Sequence, residues 1–361
     1  MNNYNIVLLG ASGSGKTVFL ASLFKKLSIQ GEFDFFLSVE DSQRKSLNKI
    51  YNELIVGESW PAGTRNTRSW IFDCHTKDSE QSNDVKACTF NYFDYAGGLI
   101  TDTTEQNDAT QFESLTNNGN AVLVLLDGQK LLSLMEDELL SNRVVLDFIH
   151  QDLPNLMQLV QKYPAKIPVY FVISKWDLLE GKYSLEKVRN KLLNTIPEFY
   201  NVVGNRKKAG CPVRLIPISS VGSGFAVLEN GEMKKIPGQK PQPQNLEITL
   251  AFALTDSYSN SFDNLKSPSN SNKNTRNSKI ITYILLSIFT LIVIVTGPLQ
   301  PWGFIIPIAY LLIRLFITKN NKVQTKENQE NISNTNTFDQ VLNTCKSIEQ
   351  KFLAKFPESN L

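Results

Sequence analysis

The eight residues Gly10-Ala11-Ser12-Gly13-Ser14-Gly15-Lys16-Thr17 carry the clearest chemistry in this chain. They fit GxxxxGK(S/T), and they stand between a short apolar run and an amphipathic one. Glycines at this spacing let successive backbone N–H groups turn inward at a helix N-terminus, where the macrodipole favours an anion. In that arrangement Gly10, Ser12, Gly13, Ser14 and Gly15 surround a polyphosphate, Lys16 neutralises its β- and γ-phosphates, and the Thr17 hydroxyl ligates Mg²⁺. The spacing implies a nucleoside triphosphate bound with Mg²⁺ in a P-loop.

Such a site needs a further acidic group to hold the metal, and the apolar run ending at Asp94 supplies one. Asp94 opens Asp94-Tyr95-Ala96-Gly97, a DxxG arrangement whose Gly97 N–H can meet the γ-phosphate and report its loss. A third element follows the run Val169–Ile173, which leads into Ser174-Lys175-Trp176-Asp177. The stem of Lys175 can cover a purine face, and the Asp177 carboxylate can accept from the N1 and N2 groups of guanine, which adenine lacks. With Ser219-Ser220 at the end of another apolar run, the set implies GTP and GDP rather than ATP.

These residues must be placed by a scaffold. Strands are predicted at 5–9, 69–75, 85–93, 121–126, 169–173 and 213–218, and helices at 17–28, 42–55, 139–162, 184–195 and 246–257. The alternation predicts an α/β domain over residues 1–266, with a mostly parallel sheet covered by helices on both faces. Residues 267–278, SPSNSNKNTRNS, hold no apolar side chain and are expected to be a flexible linker. Ile280–Thr296 is an almost unbroken apolar run, broken at Gly297-Pro298 and Pro301, and a second run spans Gly303–Thr318 with Pro307 and Arg314 inside it. Residues 279–319 are therefore expected to form a transmembrane or re-entrant helical hairpin, with the lipid bilayer as partner. Lys273, Arg276 and Lys279 precede it and Lys319, Lys322 and Lys326 follow, so both ends are expected on the cytosolic side. Within 320–361, Phe338, Val341, Leu342, Cys345, Ile348, Phe352 and Phe356 recur at helical spacing, an amphipathic tail helix whose stripe should pack on the domain or on a partner.

Composition narrows the classes. The 361 residues carry 37 basic and 35 acidic side chains, a net charge of +2, so no global field draws in nucleic acid. Cys74, Cys88, Cys211 and Cys345 lack CxxC spacing and only His75 and His150 could join them, which points to reduced thiols in a cytosol-facing protein. Met1–Asn5 is polar and Ile6–Leu9 too short for a secretory core, so the N-terminus is expected to stay in the cytosol.

The ordered set GASGSGKT, DYAG, SKWD and ISS resembles the motif series of the translation-factor-related class of P-loop GTPases over about residues 1–266. The stretch Gly57-Glu58-Ser59-Trp60-Pro61-Ala62-Gly63-Thr64 after a long helix is similar to prokaryotic GTPase-like proteins, including the double-GTPase group of bacterial conflict systems. The resemblance implies that Lys16 and Thr17 hold phosphate and Mg²⁺, that Asp94 and Gly97 start a second switch, that Lys175 and Asp177 bind guanine, and that the Ser219 or Ser220 backbone approaches its O6. It also implies a metal-facing threonine in the first switch, Thr64 or alternatively Thr67. Two positions depart from the pattern: Ser174 stands where Asn or Thr is commoner, and Gly98 where many small GTPases carry the glutamine that orients the attacking water. Hydrolysis is then expected to be slow, or to depend on a homodimer or a regulatory protein. Two other readings stay open, an ATP-driven membrane machine in which Arg314 marks a path, and a nucleotide-binding scaffold with little turnover.

Overall fold

The computed structural model describes residues 2–29, 31, 33–63, 67–77, 84–95, 119–265 and 336–361. Strand β1 (Asn2–Gly10) leads through the glycine-rich turn into helix α1 (Lys16–Leu27). Next come β2 (Phe35–Ser38), α2 (Asp41–Val56), β3 (Arg68–Lys77), β4 (Asp84–Asp94) and β5 (Ala121–Leu126). The chain continues through α3 (Gly128–Glu136), α4 (Arg143–Asp147), α5 (Leu153–Gln161), β6 (Val169–Ile173), α6 (Leu185–Thr195), α7 (Pro197–Lys208) and β7 (Val213–Pro217). A hairpin of β8 (Ala226–Glu229) and β9 (Glu232–Lys235) precedes α8 (Ile248–Leu265), and a last helix, α9, covers 336–355.

The main sheet has 7 strands in the order β2-β3-β4-β1-β5-β6-β7, with helices on both sides. β4, β1, β5, β6 and β7 run parallel to one another, while β2 and β3 extend the β4 edge in antiparallel pairing. The composition explains the split. β5, β6 and β7 are buried at every residue, as strands covered on both faces require, whereas β2 alternates buried and half-buried positions like a strand with one face toward solvent. Because the parallel strands share one direction, the loops after β1, β4, β5, β6 and β7 gather at one end of the sheet, the place where such folds bind ligands.

Several expectations change. The helix predicted over 139–162 begins only at Arg143, because Leu140 adopts φ 52° and the Asn142 side chain caps Val144 N at 2.9 Å. It is also interrupted: Phe148–Asp152 widens into a π turn just before Pro154, whose missing N–H cannot continue the ladder. The edge strand β2, helices α3 and α7, and the β8–β9 hairpin had no predicted counterpart; each is short or weakly periodic. The linker 267–278 and the apolar segment 279–319 lie outside the described residues. Among the described residues no helix is long and apolar enough to cross a membrane.

Residues Met1–Ser259 and Thr337–Leu361 form one compact unit, and Asn260–Asn336 a second. Within the first, the apolar stripe of α9 joins the main core: Phe352 stands edge-on to Phe252 of α8 at 5.8 Å, and Phe338 meets Tyr258 at 5.8 Å. Arg214 at the start of β7 anchors the same region, bonding Asp256 at 2.8 and 3.1 Å, Asn360 at 2.6 Å and Glu349 at 3.4 Å, with its guanidinium 3.9 Å from the Phe252 ring centroid. Leu361 N donates to Val213 O at 3.0 Å, so the last residues of the chain cover the β7 edge.

Candidate functional site

The glycine-rich turn closes over the end of β1. Gly10 leaves little room for a side chain, since a Cβ there would stand 2.6 Å from Ser14 Oγ and 3.1 Å from the Leu125 carbonyl oxygen. Gly13 and Gly15 take φ of 81° and 90°, which L side chains rarely adopt. Gly15 caps α1 without any side-chain hydrogen bond, and no acidic residue lies in the first turn, so the N–H groups and the positive end of the helix face the turn. Lys16 bridges the turn, its Nζ donating to Gly10 O at 2.6 Å. Burial lowers the Lys16 pKa, and the nearby Asp94 carboxylate offsets that in part. Ser14 Oγ is buried with no hydrogen-bond partner among the described residues. An orphaned hydroxyl beside an uncapped helix N-terminus fits an oxygen-rich anion.

Asp94 ends β4 beside the turn, in register with Leu8 of β1 on one side and Arg68 of β3 on the other, and it is almost fully buried. Thr67 immediately precedes β3 and so lies at the same sheet end; its Oγ1 is likewise buried without a partner among the described residues. Thr64, Gly97 and Gly98 lie outside the described residues.

The second half of the site follows β6. Ser174 N and Oγ both donate to Leu126 O, at 3.0 and 3.1 Å, which pins the turn to the end of β5. Lys175 takes a left-handed φ of 51°, and its Nζ bonds the Asp127 carboxylate at 2.9 and 3.0 Å. Asp127 also caps α3 by accepting from Gln129 N at 2.9 Å. Gly128 is required between them, because a Cβ would overlap the carbonyl oxygen of Ser174. Asp177 accepts a hydrogen bond from Ser219 Oγ, which itself accepts from Gly222 N at 2.8 Å. Burial raises the Asp177 pKa, and the Ser219 hydroxyl works against that. Trp176 N donates to Ile218 O at 2.9 Å, so the two loops are stitched together through the backbone. The Ser219 N–H is already given to Gln244 O at 3.2 Å, while Ser220 faces the cavity.

These halves enclose one cavity of about 400 Å³, the scale of a ligand site. Ser12, Gly13, Ser14, Gly15, Lys16 and Thr17 line one side of it, and Ser174, Lys175, Asp177 and Ser220 line another. Gly10, Asp94 and Ser219 stand behind that wall and orient it. Sequence reasoning had not singled out Trp60, Gln129 and Met233 as lining residues, nor Asp127 and Gly128 as the support of Lys175. Asp127-Gly128 did carry a signal, a turn pair directly after an all-apolar strand; Trp60 stood in the Gly57–Thr64 stretch with nothing in the sequence to assign it to the cavity, and Gln129 and Met233 carried no signal.

A cavity with a glycine-rich turn and Lys16 at one side and Lys175 and the half-buried Asp177 carboxylate at another has groups of both kinds that a nucleotide needs. No curated protein matches the chain. Residues 5–207, more than half of the chain, match the family model described as Double-GTPase 2. That span takes in the Gly10–Thr17 turn, Asp94 and the SKWD turn, and the chain belongs to the Double-GTPase 2 family of P-loop GTPases.

Proposed function

We propose that the chain is a membrane-anchored GTPase switch that binds GTP with Mg²⁺ and hydrolyses it close to a lipid surface. The observation that carries the nucleotide part is the single cavity joining the Gly10–Thr17 turn to Lys175, Asp177 and Ser220. The α1 N-terminus, Lys16 and the inward N–H groups hold the phosphates. The Asp177 carboxylate, oriented by Ser219, takes the N1 and N2 donors of guanine, and Lys175, held by Asp127, lays its stem along the base. Thr17, Asp94 and a first-switch threonine, Thr64 or Thr67, would hold Mg²⁺, which neutralises charge gathering on the phosphates. The buried hydroxyl of Thr67, one residue before the Arg68 that pairs with Asp94, suits that role. Gly97 senses the γ-phosphate, so hydrolysis releases the segments on either side of the site.

The anchor is the apolar segment 279–319. The ring contact between Tyr258 and Phe338 brings together the two ends of the stretch that contains this segment, which suits a hairpin rather than a single crossing. Any crossings in between must then be even in number, which keeps the GTPase unit and the tail on one face, taken here as the cytosolic one. A second reading, a GTP-binding scaffold with little turnover, is favoured by one observation, glycine at position 98. Single-turnover hydrolysis with and without lipid vesicles separates the two. Sedimentation with membranes after an alkaline wash, lost when 279–319 is deleted, is the result the anchored reading requires; a full chain that stays in the supernatant refutes it.

A further inference from the structure

The cavity has a wall that the phosphate and base contacts do not explain. Trp60, in the segment after α2, lines it together with Met233 of β9 and Gln129 of α3. The β8–β9 hairpin behind these residues turns at Asn230-Gly231, where φ values of 52° and 81° give the tight turn that an Asn-Gly pair favours. Met233 O accepts from Trp60 Nε1 at 2.7 Å, and Gly231 O accepts from Gln129 Nε2 at 2.6 Å. The hairpin thus holds two lining side chains by its own backbone.

Lys235 completes the attachment. Its Nζ donates to Glu53 O at 3.0 Å, Gly57 O at 2.8 Å and Ser59 O at 2.8 Å, which engages all three ammonium protons with carbonyls at the C-terminal end of α2 and the turn beyond it. A cation there also meets the negative end of the helix macrodipole. The same ammonium lies 5.3 Å from the Trp60 ring centroid, and that ring stands edge-on to Phe225 at 6.1 Å. Leu54, Val221, Phe225 and Ala226 form a small apolar cluster of their own here, separate from the main core. Val221 directly follows Ser220, so the hairpin grows out of the loop that faces the base.

We infer that Lys235 is a positioning residue: by tying the β8–β9 hairpin to the end of α2 it holds Trp60 as an aromatic wall against the bound nucleotide. The inference rests on the nucleotide reading of the cavity. It makes the hairpin a strut between the base-binding loop and the segment leading to the first switch. An ammonium is suited to the task because its three donors match three converging carbonyls, which a methionine of similar length cannot satisfy.

The test uses the full chain in mild detergent and a fluorescent GTP analogue with Mg²⁺, following release by stopped flow and energy transfer from tryptophan to the analogue. Binding by the wild-type chain is the first readout, and its failure sinks the nucleotide reading rather than this one. Lys235→Met is expected to release the analogue about tenfold faster and to lower the energy transfer, as loss of charge-assisted hydrogen bonds would. Trp60→Phe keeps the apolar contact and loses the Met233 bond; it should speed release similarly and remove its share of the transfer. If Lys235 acts through Trp60, adding Lys235→Met to Trp60→Phe changes release little further. Unchanged release in Lys235→Met, or effects of the two substitutions that simply multiply, would overturn the inference, even where Lys235→Met lowers the melting temperature.

Discussion

Replacing Gly128 with alanine perturbs guanine selection from a residue that does not itself line the cavity, by pushing on the turn that does. Gly128 opens α3 directly beneath the Ser174-Lys175 backbone, where a Cβ would overlap Ser174 O and stand 2.9 Å from Lys175 O. Both neighbours are backbone, so neither can swing aside as a flexible side chain would. The turn has to retreat by about 1 Å, a displacement large enough to cost roughly 10²-fold in a preorganised site. The first bonds to stretch are Ser174 N to Leu126 O, now 3.0 Å, and Lys175 Nζ to Asp127, now 2.9 Å. Asp177 lies two residues farther along the same turn and moves with it. We expect Gly128→Ala to weaken GTP binding about 30- to 100-fold, or about 2–3 kcal/mol by affinity arithmetic. ATP, which engages only the phosphate cradle, should bind almost as before. Overpacking should cost about 1–3 kcal/mol of stability, so circular dichroism must first establish that the variant is folded. Competition of unlabelled GTP and ATP against a labelled nucleotide is the assay. A folded Gly128→Ala protein with its GTP preference intact would refute the idea that the Asp127-Gly128 support sets the base-binding turn.

Other outcomes follow from the same geometry. Burial raises the Asp177 pKa, and guanine binding requires the carboxylate, so GTP affinity should fall as pH drops through that raised pKa, approaching about tenfold per pH unit. The stability of the unliganded protein should move the other way, because a carboxyl with a folded pKa above its unfolded one binds more protons when folded; titration calorimetry and melting curves between neutral and mildly acid pH check both signs, and Asp177→Asn should flatten each. At the far end of the sheet, Arg214→Ala strands the buried Asp256 carboxylate and loosens Glu349 and Asn360 of the tail. It should cost about 3–5 kcal/mol in denaturant unfolding while leaving nucleotide selectivity unchanged, since breaking a buried pair leaves an uncompensated charge.

How far the sequence alone could be followed depended on what kind of signal each part emits. The glycine-rich turn was legible because its backbone conformation demands glycines at fixed spacing, and Gly13 and Gly15 do take positive φ. The parallel strands were legible because burial on both faces makes them continuous apolar runs, as at 121–126 and 169–173. The stripe from Phe338 to Phe356 predicted an amphipathic helix, and its residues do enter the core, but which surface they would cover could not be read from spacing. What escaped was contact across long separations. Trp60 meets Met233, and Lys235 meets Glu53, Gly57 and Ser59, through backbone carbonyls that any residue provides, so neither pairing leaves a trace in composition or periodicity. The split helix before Pro154 is an intermediate case: the proline was visible, but the π turn that accommodates it was not.

The most direct test is nucleotide competition on the full chain in mild detergent with Mg²⁺, comparing wild type with Asp177→Ala. The account predicts that GTP and GDP displace a labelled guanine nucleotide far better than ATP does, and that Asp177→Ala loses this preference while Lys16 and the α1 N-terminus still retain phosphate binding. Equal competition by ATP in the wild type, or a guanine preference that survives Asp177→Ala, would contradict it.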